Sequence, residues 1–184
     1  KLSSYFGFDP YNLGFVDIEQ DDEIIYGLRV LTTFTNEVNA VYTFKNDMYI
    51  SLNVRHYWNT AEYRKYLTLL EDGELADNYV YTKNNDFNYN AFNIDLQYSW
   101  QFAPGSNISI VYKNIIENDK VGITSIPTYD QNFKNLMHDP QINSLSVKVL
   151  YYLDYLYLKH KIKKGIWFHG TNPVLFCIYL IVFY

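Results

Sequence analysis

Apolar and polar residues alternate without a break in the middle of the chain, between Phe92 and Phe102. The even-numbered residues are Phe92, Ile94, Leu96, Tyr98, Trp100 and Phe102, and the odd-numbered residues are Asn93, Asp95, Gln97, Ser99 and Gln101. A period of two residues predicts a β-strand with one apolar and one polar face. Ordinary strands have roughly 5 or 6 residues, whereas a strand that crosses a bilayer needs about 9 to 11. The segment is therefore long enough to span a membrane.

Four other segments alternate in the same way, so that about five strands are expected. They are Met48 to Trp58, Ile108 to Asn114, Leu145 to Tyr157 and, upstream, Ile24 to Phe44. The upstream segment is either one very long strand or a hairpin that turns near Thr35 to Glu37. We favour one strand, mainly from Leu28, because short and long connections then alternate along the chain.

The connections between the predicted strands differ in length. Tight turns are predicted at Lys45 to Asp47 and at Ala103 to Asn107, the second with Pro-Gly at its centre. Leu2 to Asp22, Asn59 to Tyr89 and Ile115 to Gln141 are read as long polar connections. This asymmetry is typical of outer-membrane barrels, in which the short turns are periplasmic and the long loops are extracellular.

The composition allows a membrane barrel. Tyr (20 residues) and Phe (12 residues) dominate an aromatic fraction of 19%, while the mean hydropathy is only -0.23. Residues that face a polar lumen keep the mean hydropathy low. A spanning helix would need about 18 apolar residues or more, and the last stretch, Val174 to Tyr184, is shorter. Trp100 and Phe102 precede a short turn and Trp58 precedes a long loop, which predicts aromatic girdles at both membrane surfaces.

These patterns predict the all-β class, with an antiparallel transmembrane β-barrel of which the chain holds only the C-terminal strands. Bacterial barrels have at least about eight strands, so the others are expected upstream. The face from Phe92 to Phe102 is then expected to pack against lipid. A soluble β-sandwich or lipocalin-like barrel, with a ligand bound inside, also alternates and is the alternative. The chain opens on Lys1 without an initiator Met or a signal peptide, so we expect a piece of a longer protein.

The charge pattern argues against nucleic acid as a partner. The formal net charge is -5, and the 15 Lys and Arg residues are scattered. The one basic group is Lys159, Lys161, Lys163 and Lys164. The lone Cys177 leaves no internal disulfide and no CxxC site. No phosphate-binding loop, nucleophile elbow or HExxH motif occurs, so we expect no cofactor, no metal and no catalytic residue in this segment.

The candidate site residues have plain structural readings. His56 lies in the sequence RHYW at a predicted strand end, and His138, His160 and His169 are far away. We therefore interpret His56 as an interfacial residue rather than a metal ligand. Four acidic loop residues could bind a cation or act as a pair in glycoside hydrolysis, which needs two carboxylates about 5 to 10 Å apart. They are Glu71, Asp72, Glu74 and Asp77, and we favour a solvated surface loop for them.

Charged residues also occur on the polar faces of the predicted strands. They are Arg55, Asp95, Lys113, Lys148 and Asp154. In a barrel these side chains point into the lumen and can pair across strands. We interpret them as groups that solvate the lumen, with a role in channel selectivity as the alternative.

Three sequence segments resemble a known family. NAFNIDLQYSWQFAPGSNISIVYKN, MYISLNVRHYW and NSLSVKVLYYLDYLYLK are similar to the C-terminal barrel domain of Bacteroidetes proteins described as carbohydrate-binding family 9-like domain-containing, whose barrel is labelled as a domain of unknown function. The resemblance runs from roughly Gly14 to Lys159, and the turn WQFAPGS is its most specific element. Members normally end soon after a segment like YYLDYLYLK. Residues 1–159 are therefore interpreted as the C-terminal part of the barrel domain. The basic and then apolar tail, 160–184, is interpreted as non-native, with a genuine anchor as the alternative.

The resemblance implies a function at the cell outer membrane. The expected role is that of an anchor or pore attached to a glycan-binding domain, absent here, in carbohydrate handling at the cell surface. The implied partners are the lipid bilayer, the barrel assembly machinery and a glycan bound through that domain. Some relatives carry a hydrolase label, so a membrane-associated glycoside hydrolase with its active site upstream is the alternative from another class.

Overall fold

The computed structural model describes residues 1–19, 22–153 and 174–183, with backbone alone for Leu153 and for the last segment. The described residues form one eight-stranded antiparallel β-sheet and one short α-helix. The predicted all-β antiparallel class is therefore confirmed. Within these residues, none of the helical structure is long and apolar enough to cross a membrane.

Strands that follow one another along the chain are neighbours in the sheet. The strands are β1 (Leu2–Ile18), β2 (Ile24–Lys45), β3 (Met48–Leu69), β4 (Leu75–Asn78), β5 (Phe87–Ala103), β6 (Ser106–Val121), β7 (Gln141–Leu153) and β8 (Val174–Phe183). The pairing path is β1-β2-β3-β5-β6-β7-β8, and β4 lies off this path beside β3. The helix is α1 (Tyr129–Leu136), between β6 and β7.

The sequence predicted several of these elements. β2 is one continuous strand of 22 residues, without a hairpin near Thr35 to Glu37. Both tight turns are present, at residues 46–47 and 104–105. Gly105 has a φ of 74°, and a Cβ at this position would lie 3.1 Å from the Cβ of Tyr152. Only glycine adopts this left-handed backbone without strain, so the Pro-Gly turn depends on it.

The three connections predicted to be long and polar are largely structured, which corrects that interpretation. Leu2 to Asp22 contains β1, and Asn59 to Tyr89 contains the end of β3, all of β4 and the start of β5. Ile115 to Gln141 contains the end of β6 and α1. In these segments polar residues occupy both strand faces, or the apolar residues switch between odd and even positions. Apolar and polar residues therefore alternate only weakly, although the strand backbones pair in the sheet.

β1 shows why alternation alone failed there. Phe6 pairs with Phe34, and Phe15 pairs with Tyr26. Both partners on β2 have even numbers, whereas the β1 residues change from an even to an odd number. The register shift between Asp9 and Asn12 causes this change, and the shift between Phe15 and Asp17 reverses it. A bulge inserts a residue into one strand and moves the following side chains to the other parity.

The end of the chain also differs from the prediction. The predicted closing strand, Leu145 to Tyr157, corresponds to β7, but residues 154–157 lie outside the described residues. The apolar tail contributes β8, which pairs antiparallel with β7 from Leu153–Val174 to Ser144–Phe183. β7 is therefore not the last strand, and the expected number of strands was too low. The basic group between Lys159 and Lys164 lies outside the described residues.

The chain divides into two compact units. The loop unit comprises Lys1–Val38, Val54–Asn93 and Ile115–Gln141, and it contains α1 and β4. The turn unit comprises Asn39–Asn53, Ile94–Asn114 and Ile142–Tyr184, and it contains both tight turns.

Buried hydrophobic side chains are confined to one unit. Among the described residues they are Ile25, Ala61, Leu67, Tyr81, Ile116 and Leu136, and all of them belong to the loop unit. The described part of the turn unit has no buried hydrophobic side chain. The hydrophobic core therefore lies in the loop unit.

Candidate functional site

The turn unit carries one apolar face. It consists of Ala40, Tyr42 and Phe44 of β2, Met48, Ile50 and Leu52 of β3, Ile94, Leu96, Tyr98, Trp100 and Phe102 of β5, Ile108, Ile110 and Tyr112 of β6, and Leu145, Val147, Val149 and Tyr151 of β7. Ring contacts near the tight turns support a shared face. The ring of Phe102 lies 5.8 Å from that of Trp100 and stacks on that of Tyr151 at 6.1 Å.

None of these apolar side chains is buried. Tyr42 is 64% exposed and Phe44 is 52% exposed, and Trp100, Leu145 and Tyr151 are also exposed. A soluble sheet normally covers such a face with a second layer. Most of the other residues of the face are half-buried, and in the described part of the turn unit no second layer covers them.

The opposite face is mostly polar, and charged residues on it pair across strands. In the turn unit, Lys113 Nζ lies 3.5 Å from Asp95 Oδ1. In the loop unit, Arg55 Nε lies 3.5 Å from Glu37 Oε1. The cross-strand pairing predicted for Arg55, Asp95 and Lys113 is confirmed. Lys148 lies half-exposed on β7, and Asp154 lies outside the described residues.

On each of these five strands, the run of apolar residues on the apolar face ends at a polar residue. This polar residue has the same odd or even numbering as the run and so lies on the same face of the strand. The polar residues are Asn36 on β2, His56 on β3, Asn90 on β5, Asn114 on β6 and Asn143 on β7. Two of them interact in the loop unit, where His56 Nε2 lies 3.3 Å from Asn90 Oδ1. Two others interact in the turn unit, where Asn114 Nδ2 donates to Asn143 Oδ1 at 2.8 Å. We call these five residues the boundary residues.

Helix α1 covers a buried group of amides in the loop unit. Asn132 Oδ1 accepts hydrogen bonds from Asn88 Nδ2 at 3.0 Å and Asn90 Nδ2 at 2.6 Å, while Asn132 Nδ2 donates to Asn90 Oδ1 at 2.7 Å. Trp58 Nε1 donates to Asn88 Oδ1 at 2.6 Å. An isolated helix of this length is unstable in water, so these contacts and the burial of Leu136 hold α1 in place. We call Asn88, Asn90 and Asn132 the asparagine cluster.

His56 and Trp58 differ from their predicted positions at a strand end. β3 continues to Leu69, so both residues lie within the strand. His56 is only 3% exposed, and its Nδ1 lies 3.3 Å from the Tyr129 hydroxyl. Its surroundings are Asn90 and aromatic rings rather than other metal-binding side chains. Trp58 lies 5.8 Å from the ring of Tyr129, so it is a contact of α1 rather than part of an interfacial girdle.

Phe92 is also covered by protein. Its ring lies 5.9 Å from that of Phe133 on α1 and 6.3 Å from that of His56. The packing of the face from Phe92 to Phe102 on lipid stays a prediction, and Phe92, which is half-buried, contacts α1 as well. On β5, the apolar residues that no helix covers begin at Ile94.

The loop unit also contains an open pocket of about 680 Å³. We call it the loop pocket, and its walls come from the β1–β2 connection, the end of β3, and β4 with the segment after it. Its lining residues are Glu19, Glu23, Thr68, Asp77, Asn78, Tyr79, Val80, Tyr81, Thr82 and Lys83. Asn78 Oδ1 accepts the backbone N–H groups of Val80 and Tyr81 at 2.9 and 2.8 Å, which fixes the turn after β4.

Ion pairs hold the wall of the loop pocket. Lys83 Nζ lies 3.0 Å from Asp17 Oδ2 and 2.5 Å from Glu19 Oε1. The hydrogen bond from Lys83, followed by that from the N–H of Ile18, lowers the pKa of Asp17 below its ordinary value. The same contacts, first with Glu19 and then with Asp17, raise the pKa of Lys83.

The four acidic residues singled out in the sequence do not come together. Glu71 and Asp72 lie in the turn before β4, where Asp72 Oδ1 accepts the N–H of Glu74 at 3.0 Å. Asp77 lies on β4 and pairs with Lys65 at 2.7 Å. No group of three metal-binding side chains is found in the described ranges. Of the four, only Asp77 lines the loop pocket.

Sequence reasoning missed the asparagine cluster and Lys83. The only available signal for the first was the polar residues Asn88 and Asn90 on the same parity as the apolar run of β5. The contacts of Lys83 join segments more than 60 residues apart, as shown by its separation of 66 positions from Asp17. No local pattern encodes such a contact.

Sheet and site together define an antiparallel all-β protein with an uncovered apolar face. The family model for a domain of unknown function (DUF5916) matches residues 2–162, and the chain belongs to this family. The match covers β1 to β7 and stops before β8. No curated protein and no solved structure matches the chain.

Proposed function

We propose that the chain is the C-terminal part of a transmembrane β-barrel in the outer membrane, acting as an anchor or pore for a glycan-binding domain. The observation that carries this proposal is the apolar face of the turn unit. It spans five neighbouring strands and none of its side chains is buried. Large uncovered apolar patches mark surfaces that meet another apolar phase.

The energetics favour lipid as that phase. Apolar surface left in water costs roughly 25 cal/mol per Å², and in a bilayer this cost is removed. β5 and β7 have 17 and 13 residues, more than the 9 to 11 or so that a tilted strand needs to cross. Paired backbones satisfy their polar groups within the sheet, and the outer edges of β1 and β8, where the described pairing path ends, need further strands to do so in lipid.

The two ends of the apolar face also fit a bilayer. Trp100, Phe102 and Tyr151 lie near a tight turn, where aromatic side chains suit the membrane surface. At the other end of each apolar run, a polar boundary residue replaces the apolar side chains.

The polar face then faces the lumen, and the pairs Asp95–Lys113 and Glu37–Arg55 neutralise its charges. Attachment to a glycan-binding domain, insertion by the barrel assembly machinery and a role in carbohydrate handling follow from the family resemblance. In a soluble ligand-binding barrel the apolar face would instead line the interior.

Site-directed labelling tests the proposal. In a Cys177→Ser background, Val80→Cys places a thiol on an exposed residue after β4, and Asn46→Cys places one in a tight turn. A membrane-impermeant maleimide should label Val80→Cys on intact cells and Asn46→Cys only after the outer membrane is opened. Recovery of the protein in the soluble fraction, with equal labelling of both positions, would reject a membrane barrel. Reversed labelling would keep the barrel and invert its orientation.

A further inference from the structure

His56 on β3 is enclosed between the sheet and α1. It is only 3% exposed. The imidazole lies 5.7 Å from the ring of Tyr129 and 5.3 Å from that of Phe133, both on α1, and 6.3 Å from that of Phe92 on β5. A titratable side chain is therefore buried where the sheet meets the helix that covers it.

The hydrogen bonds around His56 determine which ring nitrogen carries the proton. Asn90 Oδ1 is an acceptor that receives hydrogen bonds from Asn132 Nδ2 at 2.7 Å and from His56 Nε2 at 3.3 Å. In a neutral imidazole only one nitrogen donates, so Nδ1 is the acceptor. Its partner at 3.3 Å is the Tyr129 hydroxyl, which therefore donates to it. Asn36 Nδ2 donates to the same hydroxyl at 3.2 Å.

Three of the boundary residues thus anchor the start of α1. Asn36, His56 and Asn90 lie on β2, β3 and β5, and Tyr129, which joins them, is the first residue of the helix. The ring of Phe34 adds an edge-on contact to Tyr129 at 5.1 Å. This docked arrangement needs a neutral His56, because the hydroxyl of Tyr129 donates to the unprotonated Nδ1.

Protonation of His56 disrupts the arrangement. An imidazolium ion donates from both nitrogens, so its Nδ1–H group would face the O–H group of Tyr129. The hydroxyl then has to turn its proton away from its only acceptor among the described residues. The added charge also lies in a buried site, where a charge without an ionic partner costs free energy.

Neutral groups surround the imidazole in the part of the chain that the structure describes. The only titratable group among its contacts is the Tyr129 hydroxyl. The nearest charged residue along each packed strand has the opposite parity and so lies on the other face, and the charged residues of α1 are exposed. They are Glu37 on β2, Arg55 on β3, Asp95 on β5, and Asp130 and Lys134 on α1.

Burial lowers the pKa of His56 from its ordinary 6.5, and the hydrogen bond to Asn90, which acts in the opposite direction, is the weaker influence. When α1 is released, the imidazole meets water, so the released form binds a proton more readily than the docked form. Docking of α1 is therefore strongest above the ordinary pKa of 6.5 and weakens as the pH falls below it.

We propose that α1 is a pH-released cover of the sheet and that His56 is the residue that senses the pH. While His56 is neutral, the helix is docked through Tyr129. When His56 takes up a proton from solvent, this contact is lost and the helix leaves the asparagine cluster and Phe92 open. The inference goes beyond the proposed function. It holds whether or not the turn unit crosses a membrane, because every group involved belongs to the loop unit.

Hydrogen exchange in the purified full chain, in detergent micelles, tests this proposal. After correction for intrinsic exchange rates, the protection of the α1 amides measures how rarely the helix is released. One such amide is that of Asn132, which donates to the carbonyl of Thr128 at 2.9 Å. Protection should fall at least about threefold between about pH 7 and pH 5, and by at most about tenfold per pH unit, because release takes up one proton. Constant protection over this range would overturn the proposal.

Two matched variants identify the titrating residue. His56→Gln keeps one donor and one acceptor at this position but does not titrate, so its protection should be the same at both pH values. His138→Gln removes an exposed histidine just after α1 and should keep the wild-type response. A fall in His56→Gln as large as that in the wild type, or loss of the response in His138→Gln, would show that His56 is not the sensor.

A second measurement decides the case in which His56→Gln does not dock α1 at any pH. The ring signals of the histidines in the wild-type protein are titrated by NMR and assigned with the two variants. His56 should titrate with a midpoint below 6.5, over the same pH range in which α1 loses protection. A midpoint at or above 6.5, or loss of protection while His56 is still neutral, would overturn the proposal.

Discussion

The loop unit and the turn unit share several strands, but the side chains of these strands have different surroundings in the two units. β2, β3, β5 and β6 contribute residues to both units. In the loop unit, α1 covers one face of the sheet, and this face has buried amides. In the turn unit, the residues of the same parity on these strands are apolar, and no described element covers them. The change occurs at the boundary residues. A single alternating strand can therefore serve two environments when its side chains change character part-way along.

The comparison also shows what each unit needs for stability. Buried amides are tolerated in the loop unit because the cluster around Asn132 satisfies its hydrogen bonds, and no buried side-chain polar atom lacks a partner in the described residues. The described part of the turn unit has backbone pairing but no buried hydrophobic side chain. Its apolar face has to find a cover outside the described sheet.

The largest expected effect is on the apolar face of the turn unit. Leu96→Arg should destabilise folding into lipid vesicles by about 2 to 4 kcal/mol, because a cation near the bilayer midplane is costly. Gln97→Arg, one position along on the polar face, is the matched control and should have a small effect. The measurement is urea-dependent folding of both variants in the same vesicles. Equal destabilisation would remove the distinction between the two faces.

A smaller effect is expected on the covered face of the loop unit. Asn132→Ala leaves the amides of Asn88 and Asn90 without their partner, which should cost about 1 to 3 kcal/mol locally. Release of α1 should speed tryptic cleavage after Lys134 about tenfold. Asn135→Ala, on the exposed side of the same helix, should leave this rate unchanged. If both variants are cleaved alike, the asparagine cluster does not hold α1.

The smallest effect concerns pH and the wall of the loop pocket. The pKa of Asp17 is lowered from its ordinary 3.8, chiefly by Lys83, so its stabilising contribution is complete above that value and is lost as the pH falls below it. The anisotropy of a dye on Val80→Cys should therefore fall slightly on acidification from about pH 6 to pH 3. Lys83→Met should lower the anisotropy already at pH 6 and flatten the pH response.

Lys120→Met is the control for this last experiment, since Lys120 is exposed and lies outside the pocket. It should keep the wild-type pH response. A Lys83→Met variant with an unchanged profile would show that the ion pairs with Asp17 and Glu19 do not hold this segment.

The sequence by itself determined the strands of the turn unit except β8, because apolar and polar residues alternate along them. Strict alternation predicted β5, and two short turn sequences predicted the hairpins at Asn46 and Gly105. Parity placed Asp95 and Lys113 on polar faces where they can pair across strands, and the structure shows that they pair with each other. These features are local, and a period of two encodes them directly.

Only the tertiary structure decided the loop unit. β1 was not predicted because bulges shift its apolar residues between even and odd positions. α1 was not predicted because an eight-residue helix is stable only when Asn132 and Leu136 contact the rest of the protein. The loop pocket joins Glu19, Thr68 and Lys83, which no periodicity connects. Side chains in this unit contact protein from distant parts of the chain, so their environment is set by folding rather than by position along a strand.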